Sequence, residues 1–173
     1  MQDVLDKAKQ VKLVIFDVDG VLTDGSLFLG DDGQEYKAFN SKDGFGMKLL
    51  QSSGVEIGII TARSSKLVEY RMKSLDIKHV YQGRLDKLAA YHELLAKLNL
   101  TREETAYVGD DVVDLPVMKQ AGLAIAVQDA HPLAKQHAHW QTPHNGGRGA
   151  ARDVCELIME AQGSLQSQLD KFL

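Results

Sequence analysis

The sequence is short of several things that would direct it elsewhere. It holds one cysteine, Cys155, in 173 residues, so an intrachain disulfide is excluded. The fold must rest on its apolar core, and a reducing compartment, with the cytoplasm as default, is the expectation. Cys155 lies in an apolar, helix-patterned stretch, where a thiol reads as buried and inert rather than nucleophilic. No apolar run approaches the ~20 residues of a membrane span, and residues 1–10 lack the continuous apolar centre of a signal peptide. A basic excess is also missing: 20 Lys and Arg stand against 24 Asp and Glu, for a net charge of −4. That balance argues against a nucleic-acid partner. An anionic small molecule remains open, since a few local cations suffice to bind it.

What is present is ordinary globular material, 44% hydrophobic and 25% charged, in a length that fits one domain with a sizeable core. Apolar β-rich runs at 11–18, 55–60, 79–82, 105–108 and 123–127 read as strands. Helical spacing covers 43–53, 64–75, 86–98, 112–121, 132–139 and 150–162. Residues 25–40 read as a hairpin about a Gly-Asp-Asp-Gly turn. Thr101 and Glu104 have capping-box spacing. Strands alternating with helices predict an α/β fold with a doubly wound, Rossmann-like parallel sheet. The tail, 163–173, is polar with scattered leucines, either frayed or docked on a partner subunit.

In such sheets ligands bind beyond the carboxyl ends of the strands, and the chemically suggestive residues fall there. Asp17 and Asp19 follow the first strand. Carboxylates two residues apart at a strand end can hold a hard divalent cation, and one can serve as a nucleophile. Alone, the same residues are a polar turn. Thr61 and Arg63 follow the second strand, where a hydroxyl and a guanidinium suit phosphoryl oxygens; a helix cap and a solvated arginine are the plain alternative. Lys87 opens a helix, against the preference of a helix N-terminus for negative charge. Asp110, Asp111 and Asp114 crowd the turn after the strand at 105–108. Capping accounts for one of the three, and a bound cation would account for the rest. Acidic, hydroxyl, basic and acidic groups at four strand ends compose a phosphoryl-transfer site.

The order of these segments, Asp17-Val-Asp19-Gly-Val-Leu-Thr-Asp24, Thr61-Ala-Arg63, Lys87 and Gly109-Asp110-Asp111-Val-Val-Asp114, resembles the haloacid dehalogenase superfamily of phosphatases. Within it, Asn40-Ser-Lys-Asp-Gly44 and Gly146-Gly-Arg-Gly-Ala150 point to its sugar-acid phosphatases, over roughly residues 8–160. The resemblance implies Mg²⁺ as cofactor, held by Asp17, the Asp19 backbone carbonyl and Asp110, with Asp111 and Asp114 supporting it. It implies Asp17 as nucleophile, Asp19 as acid and base, and Thr61 and Lys87 on the phosphoryl group. Asp19, Asn40, Ser41, Lys42, Asp43 and Gly44 would contact substrate, as would Lys48, Arg63, Arg71, Lys87 and Arg148. The implied substrate is an eight-carbon sugar-acid phosphate. A nine-carbon, sialic-acid-type 9-phosphate is the rival, and a non-catalytic assembly module the alternative of another class.

Between Asp24 and Thr61 there is room only for the hairpin and one helix, and between Thr61 and Lys87 only for a helix and a short strand. No cap domain fits, so a single domain over 1–173 with an open site is expected. The hairpin carries Leu27, Leu29, Tyr36 and Phe39, much apolar surface for two strands, and reads as an oligomerisation element. The resemblance implies a homotetramer in which Arg148 approaches a neighbour's site. The histidines at 131, 137, 139 and 144 are expected at the surface or an interface, since Mg²⁺ prefers oxygen.

Overall fold

The computed structural model describes all 173 residues. In chain order the strands are β1 Leu13–Phe16, β2 Phe28–Leu29, β3 Glu35–Tyr36, β4 Glu56–Ile60, β5 His79–Tyr81, β6 Thr105–Gly109, β7 Leu123–Ala126 and β8 Trp140–Gln141. The helices are α1 Gln2–Gln10, α2 Ser41–Ser52, α3 Lys66–Ser74, α4 Lys87–Leu98, α5 Leu115–Met118, α6 Pro132–His137, α7 Ala150–Ala161 and α8 Leu165–Leu169. Six strands form one parallel sheet in the order β5-β4-β1-β6-β7-β8. Helices α1, α2 and α7 pack together on one face, and α4, α5 and α6 on the other. A parallel sheet covered on both faces needs strands that are apolar throughout rather than alternating. Leu-Val-Ile-Phe in β1 and Leu-Ala-Ile-Ala in β7 are buried at every position.

The chain winds outward from β1 to β4 and β5, then returns to the other side for β6, β7 and β8. The reversal falls beside β1, and the crevice at that switch point is where such sheets place ligands. Local chemistry fixes the helix starts. The Asn40 side chain caps α2, accepting from the Lys42 and Asp43 N–H groups at 2.8 and 3.4 Å. Ser65 caps α3 and Asp86 caps α4. The capping box expected at Thr101 and Glu104 is formed.

Four elements differ from the sequence reading. Residues 1–10, given no element on sequence, form α1, which buries Val4 and Ala8 one turn apart. The helix expected over 112–121 is a 3₁₀ turn, Val112–Asp114, followed by the short α5. Pro116 has no N–H to continue a helix from the preceding turn, and Asp114 turns inward. The helix expected to reach 139 stops at His137, and Trp140–Gln141 pairs with β7 as an edge strand. The tail, for which fraying was one expectation, folds back on its own chain. Leu165 and Leu169 pack on the core, and the Phe172 ring meets Phe45 edge-on at 5.2 Å.

The hairpin of β2 and β3 stands apart from the main sheet, pairing Phe28 with Tyr36 and Leu29 with Glu35. Leu27, Phe28, Leu29 and Tyr36 are exposed on it, Leu29 at 70%. No cap domain interrupts the fold: only this hairpin and α2 lie between β1 and β4. No helix is long and apolar enough to cross a membrane.

Candidate active site

The Asp17 N–H donates to the Val108 carbonyl at 3.1 Å, so the ladder between β1 and β6 carries the Asp17 side chain to the sheet's end. The chain then reverses at once. The N–H groups of Val21, Leu22 and Thr23 all donate to the Val18 carbonyl, at 3.2, 2.9 and 3.1 Å. The buried Thr23 hydroxyl accepts from Gly20 and Gly25 N–H and ties the loop shut. Gly20 lies at φ +92°, and a Cβ there would come within 2.1 Å of Asp110 Oδ2. Only glycine lets the loop after β1 close against the carboxylate after β6. The loop is held from behind as well: a Cβ on Gly146 would meet the Gly20 carbonyl oxygen at 1.7 Å.

The centre of charge is the ammonium of Lys87, whose Nζ lies 2.8 Å from Asp17 Oδ2 and 2.8 Å from Asp114 Oδ1. Burial would push the Lys87 ammonium down, but Asp17 and Asp114 outweigh it and hold its pKa above the ordinary lysine value. Asp114, fully buried, has all its acceptor positions engaged. Its Oδ1 accepts from Lys87 and from the Tyr107 hydroxyl at 2.6 Å, its Oδ2 from the N–H groups of Asp110 and Asp111 at 3.0 and 3.2 Å. It is a scaffold for the loop. Asp111, by contrast, faces solvent and accepts from the Val112 N–H at 2.7 Å; it is the acid that capping explains.

Asp17 accepts from the Val18 N–H at 2.6 Å through Oδ1 and pairs with Lys87 through Oδ2, which leaves Asp110 as the carboxylate without a protein donor. Asp110 makes no hydrogen bond through its carboxylate, and burial, with Asp114 and Asp17 alongside, pushes its pKa up to about 8. Burial and Asp114 likewise raise Asp17 to about 6, against the pull of Lys87. One oxygen each from Asp17, Asp110 and Asp114 falls within 4.8 Å of the others. Three carboxylates around one ammonium leave an excess of negative charge. The donor set is all oxygen, which fits a hard divalent cation such as Mg²⁺.

Asp17, Lys87 and Asp110 line a cavity of about 190 Å³ with Asp19, Thr61, Ala62, Arg63, Asp111 and Val113. Thr61 follows β4 and is buried, its N–H bonded to the Tyr81 carbonyl at 2.9 Å. Its hydroxyl makes no bond within the chain and is free for a ligand. Asp19 is gripped by cations: Lys37 Nζ lies 2.5 Å from its Oδ1 and Arg63 Nε 3.9 Å from its Oδ2.

Of the residues predicted from sequence, the chain therefore brings Asp17, Asp19, Thr61, Arg63, Lys87, Asp110 and Asp111 to one cavity, with Asp114 behind them. Others go elsewhere. Asp43 is buried, accepting from the N–H groups of Gly149 and Arg152 at 3.4 and 2.9 Å. Asn40 is a cap, and Gly44 leaves the room that the Arg71 guanidinium fills. Arg71 donates to the Asn40 carbonyl at 3.1 Å. Lys48 faces Asp76 at 3.7 Å, and Arg148 pairs with Asp24 at 3.0 Å. Ser41 and Lys42 are exposed on the first turn of α2. The four histidines bond to different groups: the Leu133 N–H for His131, the Leu133 carbonyl for His137, the Ala124 N–H for His139, and the Asp153 carboxylate for His144.

Sequence reasoning missed Lys37, Glu35 and Tyr107. A tyrosine within a buried strand reads as core, and no local pattern reveals that the hairpin turns a lysine toward Asp19.

The family profile for haloacid dehalogenase-like hydrolases matches residues 78–152. The chain is 52% identical over 164 residues to the 3-deoxy-D-manno-octulosonate 8-phosphate phosphatase of Yersinia pestis, covering 95% of this chain and 88% of that protein. A crystal structure of the Yersinia pestis enzyme superposes with a TM-score of 0.94 over 95% of this chain and 89% of that one. The Moraxella catarrhalis enzyme, solved with magnesium, phosphate and KDO, superposes at 0.98 with 40% identity, covering 100% of this chain and 99% of that one.

Proposed function

The chain belongs to the haloacid dehalogenase-like hydrolases, and from that premise we propose that it is the phosphatase that hydrolyses 3-deoxy-D-manno-octulosonate 8-phosphate to the free sugar acid and inorganic phosphate. Such a phosphoric monoester hydrolase uses Mg²⁺, and the oxygen-only cluster at Asp17 and Asp110 supports that cofactor here. The observation that carries the reading is Lys87, buried between Asp17 and Asp114, beside an Asp110 carboxylate that no protein group satisfies.

Asp17, the Asp19 backbone carbonyl and Asp110 would hold Mg²⁺. Bound there, the ion neutralises charge on the phosphoryl oxygens and screens the nucleophile. An Asp17 oxygen attacks phosphorus as the bond from phosphorus to the sugar oxygen breaks. Asp19 gives a proton to that departing oxygen and becomes a carboxylate. It then takes a proton from water as the water oxygen attacks phosphorus and the Asp17–phosphorus bond breaks. Thr61 donates its hydroxyl hydrogen to a phosphoryl oxygen, and Lys87 offsets the negative charge of nucleophile and phosphate together. Asp114 keeps Lys87 and the Asp110 backbone in place, and Arg63 at the rim faces the rest of the substrate.

We take the chain as one domain, with a single apolar cluster of 45 buried residues as support. A homotetramer assembled through the hairpin is part of the same proposal. Its support is the open cavity and the exposed Leu27, Phe28, Leu29 and Tyr36. Asn40, Ser41, Lys42, Lys48, Arg71 and Arg148, which this chain keeps out of its own cavity, would then meet substrate at a subunit boundary. A cytoplasmic location goes with the phosphorylated substrate.

Phosphate release from eight-carbon and nine-carbon sugar-acid phosphates, measured in parallel with Mg²⁺, tests the reading. The eight-carbon substrate should give the higher kcat/KM by tenfold or more. Preference for the nine-carbon substrate would overturn the assignment, and release from neither would return the chain to a non-catalytic role.

A further inference from the structure

Lys37 lies on the hairpin, which exposes Leu27, Phe28, Leu29 and Tyr36, yet its own side chain is only 1% exposed. Its Nζ sits 2.5 Å from Asp19 Oδ1 and 2.8 Å from Glu35 Oε1. The other Glu35 oxygen accepts from Arg63 Nη2 at 3.0 Å, and Arg63 Nε returns to Asp19 Oδ2 at 3.9 Å. Four ionisable groups thus close into a ring: Asp19 from the loop after β1, Glu35 and Lys37 from the hairpin, and Arg63 from the turn after β4.

A plain reading makes Lys37 a staple for the hairpin. Two features speak against that as its whole use. An exposed ion pair suffices as a staple and contributes little, whereas taking an ammonium out of water is costly unless geometry offsets it. The geometry is also unequal. Lys37 commits Asp19 Oδ1 at 2.5 Å, while Arg63, at 3.9 Å, is beyond hydrogen-bond distance of Oδ2; Asp19 and Arg63 both line the cavity.

We propose that Lys37, clamped by Glu35, is a positioning residue that fixes the Asp19 carboxyl so that Oδ2 carries the proton to and from the reacting oxygens. The inference rests on Asp19 serving as the acid and base of the proposed reaction. In the first half the Oδ2 proton passes to the sugar oxygen as its bond to phosphorus breaks. In the second half Oδ2 takes the proton of the attacking water. The hairpin thereby belongs to the chemistry of its own chain, whatever surface it presents outward. A carboxyl free to turn would offer its proton off line, and a small misplacement of a catalytic group can lower a rate by orders of magnitude.

The test compares two leaving groups. A sugar alkoxide must be protonated as it leaves, whereas p-nitrophenolate leaves with little help. Steady-state kinetics are measured with Mg²⁺ on 3-deoxy-D-manno-octulosonate 8-phosphate and on p-nitrophenyl phosphate. The proteins are the wild type, Lys37→Met, Lys37→Arg, Glu35→Gln and Asp19→Asn, with oligomeric state and Tm recorded for each. The Lys37→Met variant should lose thirtyfold or more in kcat on the sugar phosphate. That loss should be at least ten times its loss on the aryl phosphate, with KM changed less than threefold. Glu35→Gln should show the same bias in weaker form, and Lys37→Arg should recover part of it. Equal losses on both substrates, or a raised KM with kcat intact, would overturn the inference in favour of a structural or substrate-binding lysine. Should Lys37→Met fail to fold, the bias in Glu35→Gln decides by the same criterion. Asp19→Asn separates the two levels: no leaving-group bias there sinks the acid assignment itself, whereas bias there without bias at Lys37 sinks only the role of Lys37.

Discussion

Replacing Lys87 with methionine removes the only cation in contact with Asp17 and Asp114 while keeping most of the side-chain volume. Lys87 is 3% exposed, and each of its two ion pairs is 2.8 Å long. Breaking a buried ion pair by removing one partner costs roughly 3–5 kcal/mol, because the remaining charge is left unpaired. In a chain of this size each kcal/mol moves Tm by about 2–4 °C. The expected fall is therefore roughly 6–20 °C at pH 7.5 without metal. At pH 5.5 it should be smaller, since Asp17, already raised to about 6 beside Lys87, can then take a proton instead of staying charged. Activity should fall by at least ~10², the order lost when one donor to a developing charge is removed. Thermal unfolding at the two pH values, followed by phosphate release at pH 7.5, measures both. A Tm change below about 2 °C at pH 7.5 would refute the reasoning, since it would mean that the buried carboxylates do not depend on Lys87.

Two further perturbations probe the same architecture. In the metal-free chain Asp110 and Asp17 titrate near 8 and 6, above their ordinary unfolded value. The folded state then binds more protons than the unfolded state across that window, and stability declines as pH rises through it. Since Mg²⁺ replaces those protons, its stabilisation should be larger at pH 8.5 than at pH 5.5 in thermal unfolding, and EDTA should abolish turnover. Equal stabilisation at both pH values would remove Asp110 from the metal site. Deleting residues after Gly163 uncovers Phe45 and takes Leu165 and Leu169 from the core. Two partly buried leucines are worth about 2 kcal/mol, so a Tm fall of about 4–8 °C is expected. A change below about 1 °C would mean that the tail does not dock as described.

The fold was legible where the pattern was strong. Buried strands at β1, β4, β6 and β7 cannot be mistaken when nearly every residue is apolar, and the parallel sheet then places Asp17, Thr61 and Asp110 at neighbouring strand ends. The same patterning fails where tertiary context decides. Residues 112–121 have helical spacing, but Asp114 folding inward to Lys87 and Tyr107 shortens the helix. Asn40 and Asp43 illustrate a different limit. Polar side chains that suit a sugar equally suit a helix cap or backbone N–H groups: within this chain the Asn40 side chain caps α2 and the Asp43 carboxylate accepts from Gly149 and Arg152, and only a neighbouring subunit could bring Asn40 to substrate. Lys37 was invisible because its use depends on the path of a hairpin, which no local residue pattern encodes.

The account stands on Asp17 as the group that attacks phosphorus. Asp17→Asn keeps the size of the side chain and removes the nucleophilic carboxylate, so the direct measurement is phosphate release from 3-deoxy-D-manno-octulosonate 8-phosphate by this variant with saturating Mg²⁺. We expect no detectable turnover, with Tm and oligomeric state close to wild type. Turnover within tenfold of wild type would contradict the nucleophile and the mechanism built on it.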